Sequence, residues 1–167
     1  GNTSSSHFSS DPAKLATQTL DNSMRHSGIR VSPKIALGKT PADAKSVAVV
    51  RSRPLTEIVN TTDVYSDNFF AEMLLKLLGA RFGSAGTTAA GTTVVEDFAA
   101  EMGSEIHQVD GSGLTRSTEA SPQEVVDLLL GMRTTEVSED FIEDLALAGH
   151  EGTTAGRMKG TPAYGNC

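Results

Sequence analysis

The sequence has few of the residue types on which several kinds of function depend. Among its 167 residues there is no tryptophan, aromatic residues make up 5%, and the single cysteine is Cys167. So few aromatic side chains argue against binding by stacking on bases or sugars. One thiol excludes an internal disulfide and by itself supports no metal site. A pairing partner beyond the chain end would fit an oxidising compartment.

Positive charge and long apolar runs are also scarce. The chain has 14 Lys and Arg against 21 Asp and Glu, a formal charge of −7, whereas nucleic-acid-binding surfaces concentrate basic residues. No run approaches the roughly 18 apolar residues of a membrane span. The N-terminus also lacks the charged-then-apolar pattern of a signal peptide. We therefore expect a globular protein with no nucleic acid among its partners.

The histidines and glycines give no sign of a metal or cofactor. The four histidines, at positions 7, 26, 107 and 150, show no H-x-x-x-H or similar ligand spacing, which zinc sites require. The Gly/Thr-rich stretch 83–93 lacks the lysine that follows the glycines of a phosphate-binding loop. Ser112 has glycines at the adjacent positions rather than two residues away, so it is not the serine of a Gly-x-Ser-x-Gly nucleophile elbow. We expect neither a metal nor a cofactor.

The first third of the chain predicts one helix followed by strands. Residues 1–10 are polar and Ser-rich and predict a flexible lead-in. Asp11-Pro12 predicts the cap and first position of a helix that ends near Gly28. The alternation of apolar residues in 29–38 predicts a strand with Pro33 at an edge or bulge, and 46–52 predicts its hairpin partner or neighbour.

The rest of the chain is predominantly helical in pattern. One short turn is predicted at 54–60, then a helix after residue 68 with Glu72 and Lys76 paired on its exposed face. Residues 83–93 predict a loop before a helix that ends at Gly103, and 104–109 predict a short strand. A capping box opens a helix over 121–132, and another is predicted over 138–147. The buried stripe predicted for the helix after residue 68 is Phe70, Met73, Leu74, Leu77 and Leu78.

The triplet Ser66-Asp67-Asn68 stands directly before that helix. All three side chain types accept hydrogen bonds from the free N–H groups of a first helical turn, so capping is the commonest explanation. A chemical explanation exists beside it. A serine and an asparagine two residues apart at a helix start can present a proton relay and an amide donor to one cleft, as an acyl-enzyme mechanism requires.

Four blocks, in this order, resemble the D-alanyl-D-alanine carboxypeptidase/endopeptidase family of S13 serine peptidases, which includes penicillin-binding protein 4. The resemblance covers roughly residues 11–167. The blocks are "PLTEIVNTTDVYSDNFFAEMLLKLLG" at 54–79, "VDGSGLTR" at 109–116, "SPQEVVDLLLGM" at 121–132 and "LALAGHEGTTAGRMKGTPAYGN" at 145–166.

The resemblance implies a fold, a function and a site. The implied fold is α/β (α+β), part of a serine β-lactamase/transpeptidase-like fold with helices packed on an antiparallel sheet. The implied activity is hydrolysis of peptidoglycan stem peptides outside the cytoplasm, without a cofactor and with acylation by β-lactams. Ser66 would relay protons and Asn68 would position the substrate amide. Ser112 and Leu114 would line the cleft, and Arg116 would meet a substrate carboxylate, or else lie exposed on a loop.

The sequence also departs from the family pattern. The family uses Ser-x-x-Lys, Ser-x-Asn and Lys-Thr-Gly, yet no serine here has lysine three residues on, and Lys159-Gly160-Thr161 permutes the third motif. We therefore expect residues 11–167 to be a C-terminal part of the catalytic domain, without the nucleophile segment or the Lys-Thr-Gly strand, and inactive by itself. Association through surfaces left exposed is expected. The alternatives are a non-catalytic scaffold domain with a decayed site, or a β-lactamase or esterase of the same fold.

Overall fold

The computed structural model describes residues 11–32, 34, 36 and 38–166, and these fall into two units, Gly1–Val50 and Arg51–Cys167. The predicted lead-in over residues 1–10 lies outside the described residues. Within the described part of the chain, no helix is long and apolar enough to cross a membrane.

The described residues of the first unit form one helix, α1, Pro12–His26, as the sequence predicted. The Asp11 carboxylate accepts from the Lys14 N–H at 2.9 Å, and Pro12 occupies the first turn, where its missing N–H costs nothing. Gly28 follows the helix with a φ of +78°, a left-handed conformation that glycine adopts without steric cost.

The two strands predicted next in the chain do not form among the described residues. Positions 29–32, 34, 36 and 38 are non-strand, as are 46–52, and Val47 and Val50 are 99% and 95% exposed. Pro33, Ile35 and Leu37 lie outside the described residues. Apolar alternation stabilises a strand only when a partner pairs with its backbone and covers one face, and these residues have neither.

The second unit is helical, and it follows the predicted order with different boundaries. The turn expected at 54–60 is a full helix, α2, Leu55–Tyr65, and α3 covers Asn68–Phe82. The remaining elements are α4, Thr88–Glu101; α5, Pro122–Met132, with the predicted capping box; α6, Ser138–Glu143; and a 3₁₀ helix, Gly152–Thr154.

Helices α3 and α4 form the main packed pair, and two glycines allow their close approach. A Cβ on Gly79 would lie 2.7 Å from the Gly91 nitrogen, and a Cβ on Gly91 would overlap the Leu75 carbonyl. Leu75 is 3% exposed and Ala99 is 1% exposed. The glycines explain why 88–93, predicted as a loop, is helical. The free energy gained by packing α3 against α4 exceeds the cost of placing glycine, a poor helix former, within a helix.

The sequence predicted the buried face of α3 only in part, because Leu74 and Leu78 of the predicted stripe are half-buried. Its buried residues are Leu75 and Gly79, whereas Phe70, Met73 and Leu77 are 41%, 37% and 55% exposed. The predicted pair on the exposed face does form, with Lys76 Nζ 3.6 Å from Glu72 Oε1.

The predicted antiparallel sheet is wrong for this chain, because no sheet forms among the described residues. The strand expected at 104–109 is reduced to a single antiparallel bridge between His107 and Glu119. The two residues exchange N–H···O=C bonds, both of 2.9 Å, and no third strand extends the pair. An isolated two-stranded pairing is marginal in water, which is why the helices carry the architecture.

Candidate functional site

The junction between α2 and α3 is two residues long. After Tyr65, Ser66 adopts a left-handed conformation with φ 54° and ψ 51°, and the Asp67 N–H donates to the Thr62 carbonyl at 3.0 Å. Helix α3 then begins at Asn68. Left-handed backbone costs a non-glycine residue about 1–2 kcal/mol, so Ser66 is held there by the turn that joins the two helices.

Capping of α3 is performed by the middle residue of the triplet. Asp67 Oδ1 accepts from the Phe69 and Phe70 N–H groups, both at 3.0 Å. Capping, which the sequence offered for all three residues, therefore does not involve Ser66, because Ser66 instead ends α2. Both Ser66 and Asn68 are exposed, and neither side chain makes a hydrogen bond to any residue that the structure describes. Their polar groups are thus available to a ligand.

Ser66 and Asn68 line one open cavity of about 190 Å³, and Ser112, from the loop between α4 and α5, lines it too. Three of the five site residues predicted from the sequence are thereby brought together. Leu114 and Arg116 are not part of the lining. The complete lining is Thr62, Asp63, Ser66, Asp67, Asn68, Ala71 and Ser112.

The loop that carries Ser112 is organised by Asp110. Its carboxylate accepts from Ser112 Oγ at 2.6 Å and from the backbone N–H groups of Gly113, Leu114 and Thr115 at 3.1–3.2 Å. The Ser112 hydroxyl above all, and then the backbone donors, hold the pKa of Asp110 below its usual range, because they stabilise the charged form. These bonds make Asp110 the organising residue of a turn over residues 110–115. The Ser112 hydroxyl therefore already donates its hydrogen bond within the turn, to Asp110.

Two contacts hold this loop against α3. The Gly111 N–H donates to Glu72 Oε2 at 2.9 Å, and a Cβ at Gly111 would lie only 2.6 Å from the Ala71 carbonyl oxygen. Glycine at 111 is therefore required by close approach, whereas Gly113, with φ +68° and open space around it, is suited to a left-handed turn.

The side chains of the other two predicted binding residues, Leu114 and Arg116, are exposed. Leu114 is 72% exposed. Arg116 is also exposed, and no carboxylate among the described residues lies within ion-pair distance of it. Both interpretations of Arg116 given above, carboxylate recognition and a plain surface position, remain predictions.

The electrostatics of the cavity are acidic on its α2 side. Loss of hydration, reinforced by the Asp144 carboxylate, raises the pKa of Asp63, since both effects penalise the charged form. In the described part of the chain, no three His, Cys, Asp or Glu side chains come together in a group suited to a metal ion.

Sequence reasoning missed residues that shape the site. It assigned Glu72 only to the pair with Lys76, although the same carboxylate also accepts from Gly111 and from Thr88 Oγ1 at 2.5 Å. These partners lie 39 and 16 residues away in the chain. No local pattern announces contacts at that separation.

The chain matches the model of the D-Ala-D-Ala carboxypeptidase 3 (S13) family over residues 2–167. The chain therefore belongs to this family. A D-alanyl-D-alanine carboxypeptidase of Actinomadura sp. (strain R39) is 33% identical over 166 residues, 93% of this chain and 31% of the relative. The penicillin-sensitive carboxypeptidase A of Dictyostelium discoideum is 30% identical over 165 residues, again 93% and 31%.

Solved structures share the fold. Penicillin-binding protein 4 (dacB) from Haemophilus influenzae, complexed with a novel β-lactam, matches with a TM-score of 0.81 and 23% identity, covering 96% of this chain and 38% of that one. A second structure of that protein matches with a TM-score of 0.78 and 24% identity, covering 90% and 35%. The chain thus spans about a third of the length of these relatives.

Proposed function

We propose that this chain supplies the Ser-x-Asn group of a serine-type D-alanyl-D-alanine carboxypeptidase/endopeptidase that acts on peptidoglycan stem peptides and is acylated by β-lactams. One observation carries the proposal. Asp67 alone caps α3 with its side chain, which leaves the side chains of Ser66 and Asn68 on one cavity without hydrogen-bond partners among the described residues. Family membership over residues 2–167 supplies the reaction class.

The roles of the two side chains follow from their chemistry. A hydroxyl both accepts and donates a proton, so Ser66 relays a proton between the nucleophile's base and the leaving amine. An amide offers a donor and an acceptor, so Asn68 donates to the substrate's carbonyl and accepts from a lysine of the full enzyme. Neither residue is itself the nucleophile. Because β-lactams and peptidoglycan are met outside the cytoplasm, an extracytoplasmic location belongs to the proposal.

The test uses a longer protein that contains this segment together with a Ser-x-x-Lys nucleophile. Ser66→Ala should lower the rate of acylation by fluorescent penicillin at least about tenfold, in the range of general acid–base effects. The melting temperature should stay within a few degrees. Ser84→Ala is the matched control, because Ser84 is an exposed serine just beyond the opposite end of α3. Wild-type acylation by Ser66→Ala would refute the proton-relay role.

The alternatives give different results in the same system. A scaffold domain with a decayed site would show no acylation in any variant. A β-lactamase or esterase would turn over β-lactam or ester substrates faster than D-Ala-D-Ala peptides in parallel assays. The 167-residue chain by itself should form no penicillin adduct, because it encodes neither nucleophile nor activating base, and both are needed for covalent catalysis.

Arg116 and Leu114 enter the proposal as substrate contacts. A guanidinium suits a carboxylate because its planar fork donates two parallel hydrogen bonds. Arg116→Ala should therefore reduce kcat/KM more for a stem peptide that carries the side carboxylate than for one that lacks it. Arg133, an exposed arginine just after α5, provides the control. An equal reduction for both peptides would leave Arg116 as an ordinary surface residue.

Association through exposed apolar residues is the last part of the proposal. Leu55, Phe69, Phe70 and Leu77 on α2 and α3 are between 41% and 68% exposed, and exposed apolar patches favour association. The purified chain should therefore increase in mean mass with concentration, as measured by light scattering. A strictly monomeric chain would contradict this part.

A further inference from the structure

Glu72 lies one helical turn after Asn68 on α3, and both of its oxygens are occupied. Oε1 accepts from Thr88 Oγ1 at 2.5 Å and lies 3.6 Å from Lys76 Nζ, and Oε2 accepts from the Gly111 N–H at 2.9 Å. Its side chain is 21% exposed. One carboxylate thus joins α3 to the first residue of α4 and to the loop that carries Ser112.

Hydrogen bonds to Asp110 define the internal shape of the loop, so its position relative to α3 depends on its contacts with other elements. Asp110 fixes the residues that follow it through Ser112, Gly113, Leu114 and Thr115. Among described residues, the side-chain tie from this turn to α3 is the bond between Gly111 and Glu72. Since Ser112 is the next residue, this bond, together with the close approach of Gly111 to Ala71, places Ser112 relative to α3.

The charge of Glu72 suits this task. The Thr88 hydroxyl, and then the Gly111 N–H and Lys76, hold the pKa of Glu72 below its usual range, so the carboxylate is ionised at neutral pH and accepts at both oxygens. Hydrogen bonds to an ionised acceptor are shorter and stronger than neutral ones. Glu72 itself is absent from the cavity lining.

We propose that Glu72 is a positioning residue: its carboxylate fixes the Ser112 loop against the start of α3 and so sets the width of the cavity between Asn68 and Ser112. The inference rests on the proposed function for its effect on acylation. It does not rest on that function for the placement of the loop.

A second glutamate provides a matched control. Glu96 on α4 also accepts a backbone N–H from this segment, that of Gln108 at 2.9 Å, and contacts His107 Nδ1 at 3.0 Å. It braces the segment before Asp110 and is likewise absent from the cavity lining. A purely structural role for Glu72 would make the two glutamates equivalent in the acylation assay, at a comparable loss of thermal stability.

Substitution by glutamine separates geometry from charge. In Glu72→Gln the amide oxygen can still accept from Gly111, and the amide NH₂ can donate to Thr88, whose hydroxyl both donates and accepts. Glu72→Gln should therefore preserve the position of the loop, whereas Glu72→Ala should release it. Thr88→Val removes the other partner and leaves the Gly111 bond in place.

The first measurement is hydrogen exchange on the 167-residue chain and requires no activity. In Glu72→Ala the Gly111 amide should exchange at least about tenfold faster, as the loss of a charge-assisted bond predicts. In Glu72→Gln, Thr88→Val and Glu96→Ala it should exchange within about threefold of the wild type. Unchanged protection of Gly111 in Glu72→Ala would overturn the inference.

The second measurement is the acylation rate with fluorescent penicillin in a longer protein that carries the nucleophile. Glu72→Ala should lower the acylation rate about tenfold or more, and the rate of Glu72→Gln should lie within about threefold of the wild-type rate. Glu96→Ala should acylate at the wild-type rate, although its loss of thermal stability should be comparable to that of Glu72→Ala. Wild-type acylation by Glu72→Ala would overturn the positioning role. Failure of the proposed function would give a different result, namely wild-type acylation by Ser66→Ala. In that case hydrogen exchange at Gly111 would still test whether Glu72 places the loop.

Discussion

Replacing Gly111 by alanine should displace the Ser112 loop, and the structure gives the size of the displacement. The added Cβ would lie 2.6 Å from the Ala71 carbonyl oxygen and 2.9 Å from Leu75 Cβ, whereas ordinary contact begins at 3.4 Å. The loop must therefore move by about 0.8 Å. The obstacle is mainly helix backbone, which cannot rotate away as a flexible side chain can.

A movement of that size breaks the tie to Glu72. The Gly111 N···Oε2 distance of 2.9 Å would extend beyond the range of protein hydrogen bonds. Losing a hydrogen bond to a charged acceptor costs about 1.5–3 kcal/mol. The unfolded chain has less conformational entropy with alanine than with glycine, which offsets about 0.4–1 kcal/mol of this cost. Overpacking adds about 1–3 kcal/mol. We therefore expect Gly111→Ala to lower the free energy of unfolding by about 2–5 kcal/mol in total.

Gly113→Ala is the control, two residues along the same loop. Its Cβ meets nothing within 4 Å, but its φ is +68°, so the cost is conformational and about 1 kcal/mol. Urea denaturation of both variants measures the two free energies, and hydrogen exchange at residues 111–115 reports the loop. If Gly111→Ala is no less stable than Gly113→Ala, the close packing of the loop on α3 is not what holds it.

Three further predictions concern the junction and the loop. Asp67→Ala should lower the free energy of unfolding by about 1 kcal/mol through loss of the α3 cap, and Asp67→Asn by less, as read from urea denaturation. Ser66→Gly should be about 1 kcal/mol more stable than Ser66→Ala, because only glycine relieves the left-handed backbone; equal stability would contradict this. Since the folded pKa values of Glu72 and Asp110 lie below their ordinary values of 4.5 and 3.8, their stabilisation is complete above those values and lost as the pH falls through the folded ones. Glu72→Gln combined with Asp110→Asn should flatten this loss between about pH 5 and 3.

Local signals in the sequence predicted local structure well. The Asp11 cap and the Ser121–Glu124 capping box formed as expected, because each needs only partners three residues away. The segment around Ser66 was also recognised from its neighbours in the chain. The resemblance to the S13 family depended on four short blocks whose order survives without any knowledge of the fold.

Features that depend on distant partners were predicted badly. The start of α4 at Thr88 depends on Gly91 meeting Leu75, and a Gly/Thr-rich stretch by itself favours a loop. The apolar alternation at 29–38 and 46–52 required a sheet to pair with, and the described residues contain none. Glu72 looked like half of a surface ion pair because its other two partners are remote in sequence.

In the triplet Ser66-Asp67-Asn68, helix capping and the proposed chemistry fall to different residues, which the sequence by itself did not separate. One carboxylate, Asp67, satisfies two free N–H groups of α3, so capping demands nothing of Ser66 or Asn68. Serine nevertheless stands at a backbone conformation where glycine would cost less, by about 1–2 kcal/mol. Backbone strain that stabilises no other part of the structure is typical of functional positions. Under the proposed function, Ser66→Gly should therefore raise stability and lower the rate of acylation at least about tenfold, as Ser66→Ala does. A variant that is both more stable and fully active would remove the reason for a serine at this turn.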